Sequence, residues 1–117
     1  MTVNALLNVE NLKRHVMGDA EFLADQVDLF RGFYPQQLSL IRKGIETNDA
    51  NEVREWAHQL AGSLSNFCST AARDTAKAIE ECGRNGDVAR AAELEPRLER
   101  QIFELCEAAQ QIADEWN

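Results

Sequence analysis

Apolar residues recur every three or four positions along nearly the whole chain, the period of helices that bury one face, and no stretch of useful length alternates as a strand would. The spacing predicts one short helix followed by four longer ones. In the first, Asn8 is placed as N-cap, Val9, Leu12 and Val16 face inward, and Gly18 ends the element. Asp19 caps a long second helix whose stripe of Leu23, Val27, Phe30, Tyr34, Leu38, Ile41 and Ile45 steps by four and three, a bundle seam. Pro35 falls inside this stripe, and because the register continues through it the expectation is a kink rather than a break. Asn48, Asp49 and Glu52 read as a turn and a capping box opening a third helix that runs to about Phe67, with Val53, Trp56, Ala57, Leu60, Leu64 and Phe67 on one face. Ser69 or Thr70 caps a fourth helix with Ala72, Ala76 and Ile79 inward, and Gly83-Arg84-Asn85-Gly86 stops it. Asp87 caps the last, whose stripe is Val88, Ala91, Leu94, Leu98, Ile102, Leu105, Ala109, Ile112 and Trp116, with Pro96 on the outer side.

Four long helices joined by short turns make an all-α, antiparallel up-down four-helix bundle, with the short N-terminal helix capping one end. The second helix carries more apolar surface than one seam needs: Phe22, Leu29, Phe33 and Leu40 form a further line, to be covered by the first helix or by a docked partner. The carboxylates of the last helix, Glu93, Glu95, Glu99 and Glu104, read as a solvated face.

A length of 117 residues fits a single domain spanning 1–117 with an adequate core. Apolar runs fall far short of the ~18 residues of a membrane span and no export leader is evident, so the expectation is a soluble, cytoplasmic protein that does not engage a membrane. The three cysteines, Cys68, Cys82 and Cys106, include no Cys-x-x-Cys pair and read as small core residues rather than a disulfide framework or zinc cage. A formal net charge of −8, with no basic cluster interleaved with aromatics, excludes nucleic acid as a natural partner.

The segment Ala57-His58-Gln59-Leu60-Ala61-Gly62 carries the candidate chemistry. At about 100° per residue, His58 projects from the side of the third helix opposite its apolar stripe. Gly62, one turn on, shares the outward face, where glycine costs about 1 kcal/mol relative to alanine and its use is clearance beside the imidazole. Arg54 and Ser65 extend that face with a positive charge and a small hydroxyl. An exposed imidazole is a nitrogen nucleophile at neutral pH and can accept a phosphoryl group, given an acceptor for its other ring N–H and a nearby cation.

The run Ala-His-Gln-Leu-Ala-Gly-Ser, followed by Ile79-Glu80 and by Gly-Arg-Asn-Gly-Asp at 83–87, resembles the histidine phosphotransfer (HPt) domain family over nearly the whole chain. The resemblance implies that His58 is the phosphorylated residue, relaying a phosphoryl group between receiver-domain aspartates of response regulators or hybrid histidine kinases. It also implies no kinase activity and no cofactor of the chain's own, with magnesium supplied by the receiver, and it places Glu80, followed one turn later by Arg84, where the family offers a polar side chain to the imidazole N–H. Two positions depart from the pattern: Ala61 stands where the family has a lysine, and Cys68 where it has a glycine, a difference assigned to packing at the helix end. Arg54, Arg84 or Lys77 could replace the lost charge.

A degenerate HPt-like module that binds a receiver or kinase without transferring phosphate is the alternative. Glu55-Trp56-Ala57-His58 has the Glu-x-x-His spacing of di-iron bundles, but a two-metal site needs a second copy and inward carboxylates, so metal binding is not expected. His15, beside Lys13 and Arg14, reads as surface, and the protein is expected to be a monomer.

Overall fold

Side-chain caps set most of the helix starts. The computed structural model describes residues 7–116, in which α1 spans Val9–His15, α2 Ala20–Glu46, α3 Ala50–Ser65, α4 Ala71–Asn85 and α5 Val88–Glu115. Asn8, Asp19, Asp49 and Asp87 each accept a backbone N–H from three residues on, at 3.0–3.1 Å, satisfying a donor that the first turn leaves open. At α4 it is Ser69 whose Oγ accepts, from the Arg73 N–H at 3.3 Å. The capping box at α3 is only half formed. The Asp49 N–H bonds the Gly44 carbonyl at 2.8 Å, so Glu52 has no donor to reach back to and its carboxylate accepts the Trp56 indole N–H at 2.7 Å instead.

Each long helix packs on its sequence neighbours, α5 returns against α2, and α3 and α5 touch only slightly across the diagonal, the ring of an up-down bundle. Pro35 and Pro96 lie within continuous helices, on exposed positions. The predicted stripes are the core: Leu23, Val27, Leu38, Ile41, Val53, Ala57, Leu60, Leu64, Ala76, Ile79, Leu98, Ile102 and Leu105 are essentially inaccessible. Gly86 turns the chain from α4 into α5 with φ +74°, a left-handed conformation that glycine adopts without strain.

The helix α1 lies at the end of the bundle where α3 gives way to α4 and α5 finishes. Leu12 and Val16 enter the core, the Asn8 N–H donates to the Cys68 carbonyl at 2.8 Å, Leu7 and Ser69 form an isolated antiparallel bridge, and the Lys13 ammonium sits 5.9 Å from the Trp116 ring centre. This placement corrects one expectation. Because α1 lies across the end, it leaves Phe22, Leu29 and Phe33 at 44, 68 and 42 % exposure, while Leu40 is half-buried.

Three further readings change. Glu95 is buried, not solvated, because the Arg42 guanidinium on α2 pairs with it at 2.7 Å and with Glu99 beside it. Hydrogen bonds to these two carboxylates hold the Arg42 guanidinium above its ordinary range. Cys82 and Cys106 are core residues as expected, but Cys68 is half-buried at φ +51°, in the left-handed region. A glycine at that position therefore answers a backbone requirement rather than a packing one. No described helix is long and apolar enough to cross a membrane.

Candidate functional site

The close approach of α3 and α4 builds the site. A Cβ on Gly83 would stand 2.6 Å from the Arg54 nitrogen and 2.7 Å from the Ala50 carbonyl oxygen, so only glycine lets the two backbones meet there. In the sequence, Gly83 reads as part of a helix stop. The missed signal is the run of small residues Ala72, Ala76 and Gly83 on the inward face of α4, the pattern of helices that pack closely.

One turn along this contact, His58 on α3 meets Glu80 on α4. Its Nδ1 lies 3.0 Å from Glu80 Oε2, while its side chain remains 73 % exposed. A carboxylate only accepts, so Nδ1 carries the hydrogen and donates, and the lone pair sits on Nε2. The opposite face of α3, through Val53, Ala57, Leu60 and Leu64, is fixed in the core. The imidazole is thus held on a packed helix, with its tautomer set by a side chain from the neighbouring one.

Glu80 is itself held. The Arg84 guanidinium donates to the same Oε2 at 3.2 Å and pairs with Glu81 as well, so Glu80, 15 % exposed, is ordered from two sides. The i,i+4 spacing of Glu80 and Arg84 was legible as a helix pair. Its meeting with His58 depends on the register between two helices.

The remaining named positions divide. Gly62 is exposed, and a Cβ there would meet nothing within 4 Å, so the imidazole has open space beside it. Gln59 is exposed next to His58, and Ser65 is exposed with its hydroxyl donating to the Ala61 carbonyl at 3.1 Å. Ala61, in contrast, is buried at 4 % in the core between the helices. Arg54 turns along its own helix, bonding Asn51 Oδ1 at 2.9 Å and lying 3.7 Å from Glu55. Beyond the outer face of α3, Leu29 and Phe33 line a shallow hollow with Ser63 and Asn66, which sequence reading knew only as surplus apolar surface. Among the described residues no group of three or more His, Cys, Asp or Glu is placed to hold a metal ion.

Comparison with known proteins bears on the fold and the family. No curated protein gives a significant match. The structure is similar to the crystal structure of histidine-containing phosphotransfer protein B (HptB) from Pseudomonas aeruginosa PAO1, with a TM-score of 0.84, 22 % identity, and coverage of 95 % of this chain and 96 % of that one. At that identity the likeness speaks for the fold. The family model for the Hpt domain matches residues 25–115, a span that contains His58, Glu80 and both helices that join them, and the chain belongs to the Hpt domain family.

Proposed function

We propose that this chain is a phosphorelay intermediate that carries a phosphoryl group on His58 Nε2 between the aspartates of receiver domains in a two-component pathway. The observation that carries the reading is the 3.0 Å contact from His58 Nδ1 to Glu80 on an imidazole that is otherwise exposed. In the forward step the Nε2 lone pair attacks the phosphorus of a receiver's aspartyl phosphate. The N–P bond forms, the P–O bond breaks, and its electron pair leaves with the aspartate carboxylate. No proton need depart: Nδ1 keeps its hydrogen, and the positive charge that develops on the ring faces the Glu80 carboxylate, which stabilises it. The reverse sequence returns the group to a second receiver.

Magnesium, where the transfer uses it, belongs to the receiver. The apolar hollow beside α3 and the open space at Gly62 suit the approach of a folded partner of that kind, such as a response regulator or the receiver of a hybrid histidine kinase. The chain acts as a monomeric, cytoplasmic domain without kinase activity of its own. A module that binds a receiver without transferring phosphate is the second reading, and the observation in its favour is Ala61, which places no cation on α3 one turn beyond His58.

Receiver domains phosphorylated with a small acyl phosphate and mixed with the protein in magnesium test the reading. Label should pass to the wild type. It should pass several-fold more slowly to Glu80→Gln, whose amide oxygen still accepts from Nδ1 but offers the ring no negative charge, and about tenfold more slowly to Glu80→Ala, which loses the acceptor as well. Binding of a receiver without any transfer would establish the second reading instead.

A further inference from the structure

A phosphoryl dianion on His58 would sit beside the Glu80 carboxylate in a chain of net charge −8, so its persistence calls for a cation close by. The cations of α3 and α4 are Arg54, Arg73, Lys77 and Arg84. Three are held by carboxylates of their own helix: Arg54 by Glu55, with Asn51 also accepting from it, Arg73 by Asp74 at 3.5 Å, and Arg84 by Glu80 and Glu81. Lys77 is exposed and has no ion-pair or hydrogen-bond partner among the described residues.

The antiparallel register places it. From the His58–Glu80 pair, three residues forward on α3 and three back on α4 bring Ala61 opposite Lys77. Lys77 also lies three residues before Glu80, and so neighbours it on the surface of α4. The small Ala61 side chain is buried in the core, beneath the surface groove between the two packed helices, and brings no charge of its own. Building on the phosphotransfer reading, we propose that Lys77 supplies the cation that steadies the phosphoryl group on His58, from α4 and across the groove, in place of one on α3 itself. Its four-carbon stem, tied to nothing, swings to the phosphoryl oxygens when the group arrives and back into solvent when it leaves.

The test compares wild type, Lys77→Gln, Lys77→Arg, Arg84→Gln and the double variant Ala61→Lys/Lys77→Gln. Each is phosphorylated by a receiver carrying an aspartyl phosphate, and both the transfer rate and the half-life of the phosphohistidine after removal of the receiver are followed. Lys77→Gln should lower rate and half-life about tenfold at low salt, and less at high salt, as expected for one charged contact at an exposed site. Lys77→Arg should remain close to wild type, the double variant should recover, and the melting curve of Lys77→Gln should be unchanged. A half-life for Lys77→Gln equal to that of wild type overturns the inference while leaving phosphotransfer in place, and a loss confined to Arg84→Gln assigns the role to Arg84 instead. A wild type that takes no label from any receiver overturns the phosphotransfer reading and this inference with it.

Discussion

Replacing Gly83 with alanine sets two well-defined terms against each other. The new methyl would lie 2.6 Å from the Arg54 nitrogen, 2.7 Å from the Ala50 oxygen and 2.8 Å from the Arg54 Cα, all backbone atoms of α3 with no rotamer to yield. Ordinary carbon contacts sit at about 3.5–4 Å, so α3 and α4 must part by roughly 1 Å at this point. Overpacking of this kind costs about 1–3 kcal/mol, and a clash with backbone belongs at the upper end. The gain in helix propensity returns about 1 kcal/mol, leaving a net loss of about 2 kcal/mol. For a domain of this size that lowers the melting temperature by about 8 °C, read by circular dichroism. Gly62→Ala is the control, since its methyl meets nothing and propensity alone should raise stability by up to about 1 kcal/mol. Gly83 also shares a face of α4 with Glu80, so parting the helices should loosen the bond to His58 and slow phosphotransfer. A Gly83→Ala protein that melts at or above wild type, as Gly62→Ala should, would refute the close approach of the two backbones.

Cys68→Gly should stabilise the protein by about 1 kcal/mol in urea unfolding, because φ +51° strains any residue with a Cβ; a loss of stability would mean that the thiol's packing outweighs the strain. Gln37 is 5 % exposed and its Oε1 accepts no hydrogen bond from the described residues, so Gln37→Met should gain about 1 kcal/mol by removing an unsatisfied buried oxygen, and a clear loss would show that the amide is satisfied. Burial pushes the Cys106 thiol from 9.0 up to about 11. Its folded value lies above the unfolded one, so the associated stability is complete below about pH 9 and is lost as pH rises toward 11, by about 2–3 kcal/mol at most. Urea midpoints measured across that window should fall more steeply for wild type than for Cys106→Ala, and parallel profiles would contradict the burial effect.

What the sequence displayed was local. Asn8, Asp19, Asp49 and Asp87 act on N–H groups three residues away, and the buried stripes follow from a period of one helix, so both could be read from neighbouring letters. The outward face of His58 was legible for the same reason. Features that depend on how one helix meets another were not. Gly83 looks like a terminator until α3 is laid against it, and Glu95 looks solvated until Arg42 arrives from α2. The partner of His58 was placed through family resemblance rather than spacing, since residues 22 apart meet only through the register of α3 on α4. Phe22, Leu29 and Phe33 were recognised as surplus to one seam and α1 was placed at the bundle end, but nothing local told that in that position it would leave them open.

The central claim is that His58 carries the phosphoryl group, and intact-mass analysis of wild type and His58→Gln after incubation with a phosphorylated receiver and magnesium tests it most directly. The account predicts one acid-labile, base-stable phosphoryl group on wild type and none on His58→Gln, with unchanged helical content because the side chain faces solvent. Label that persists on a folded His58→Gln protein, or unfolding of that variant, would contradict it.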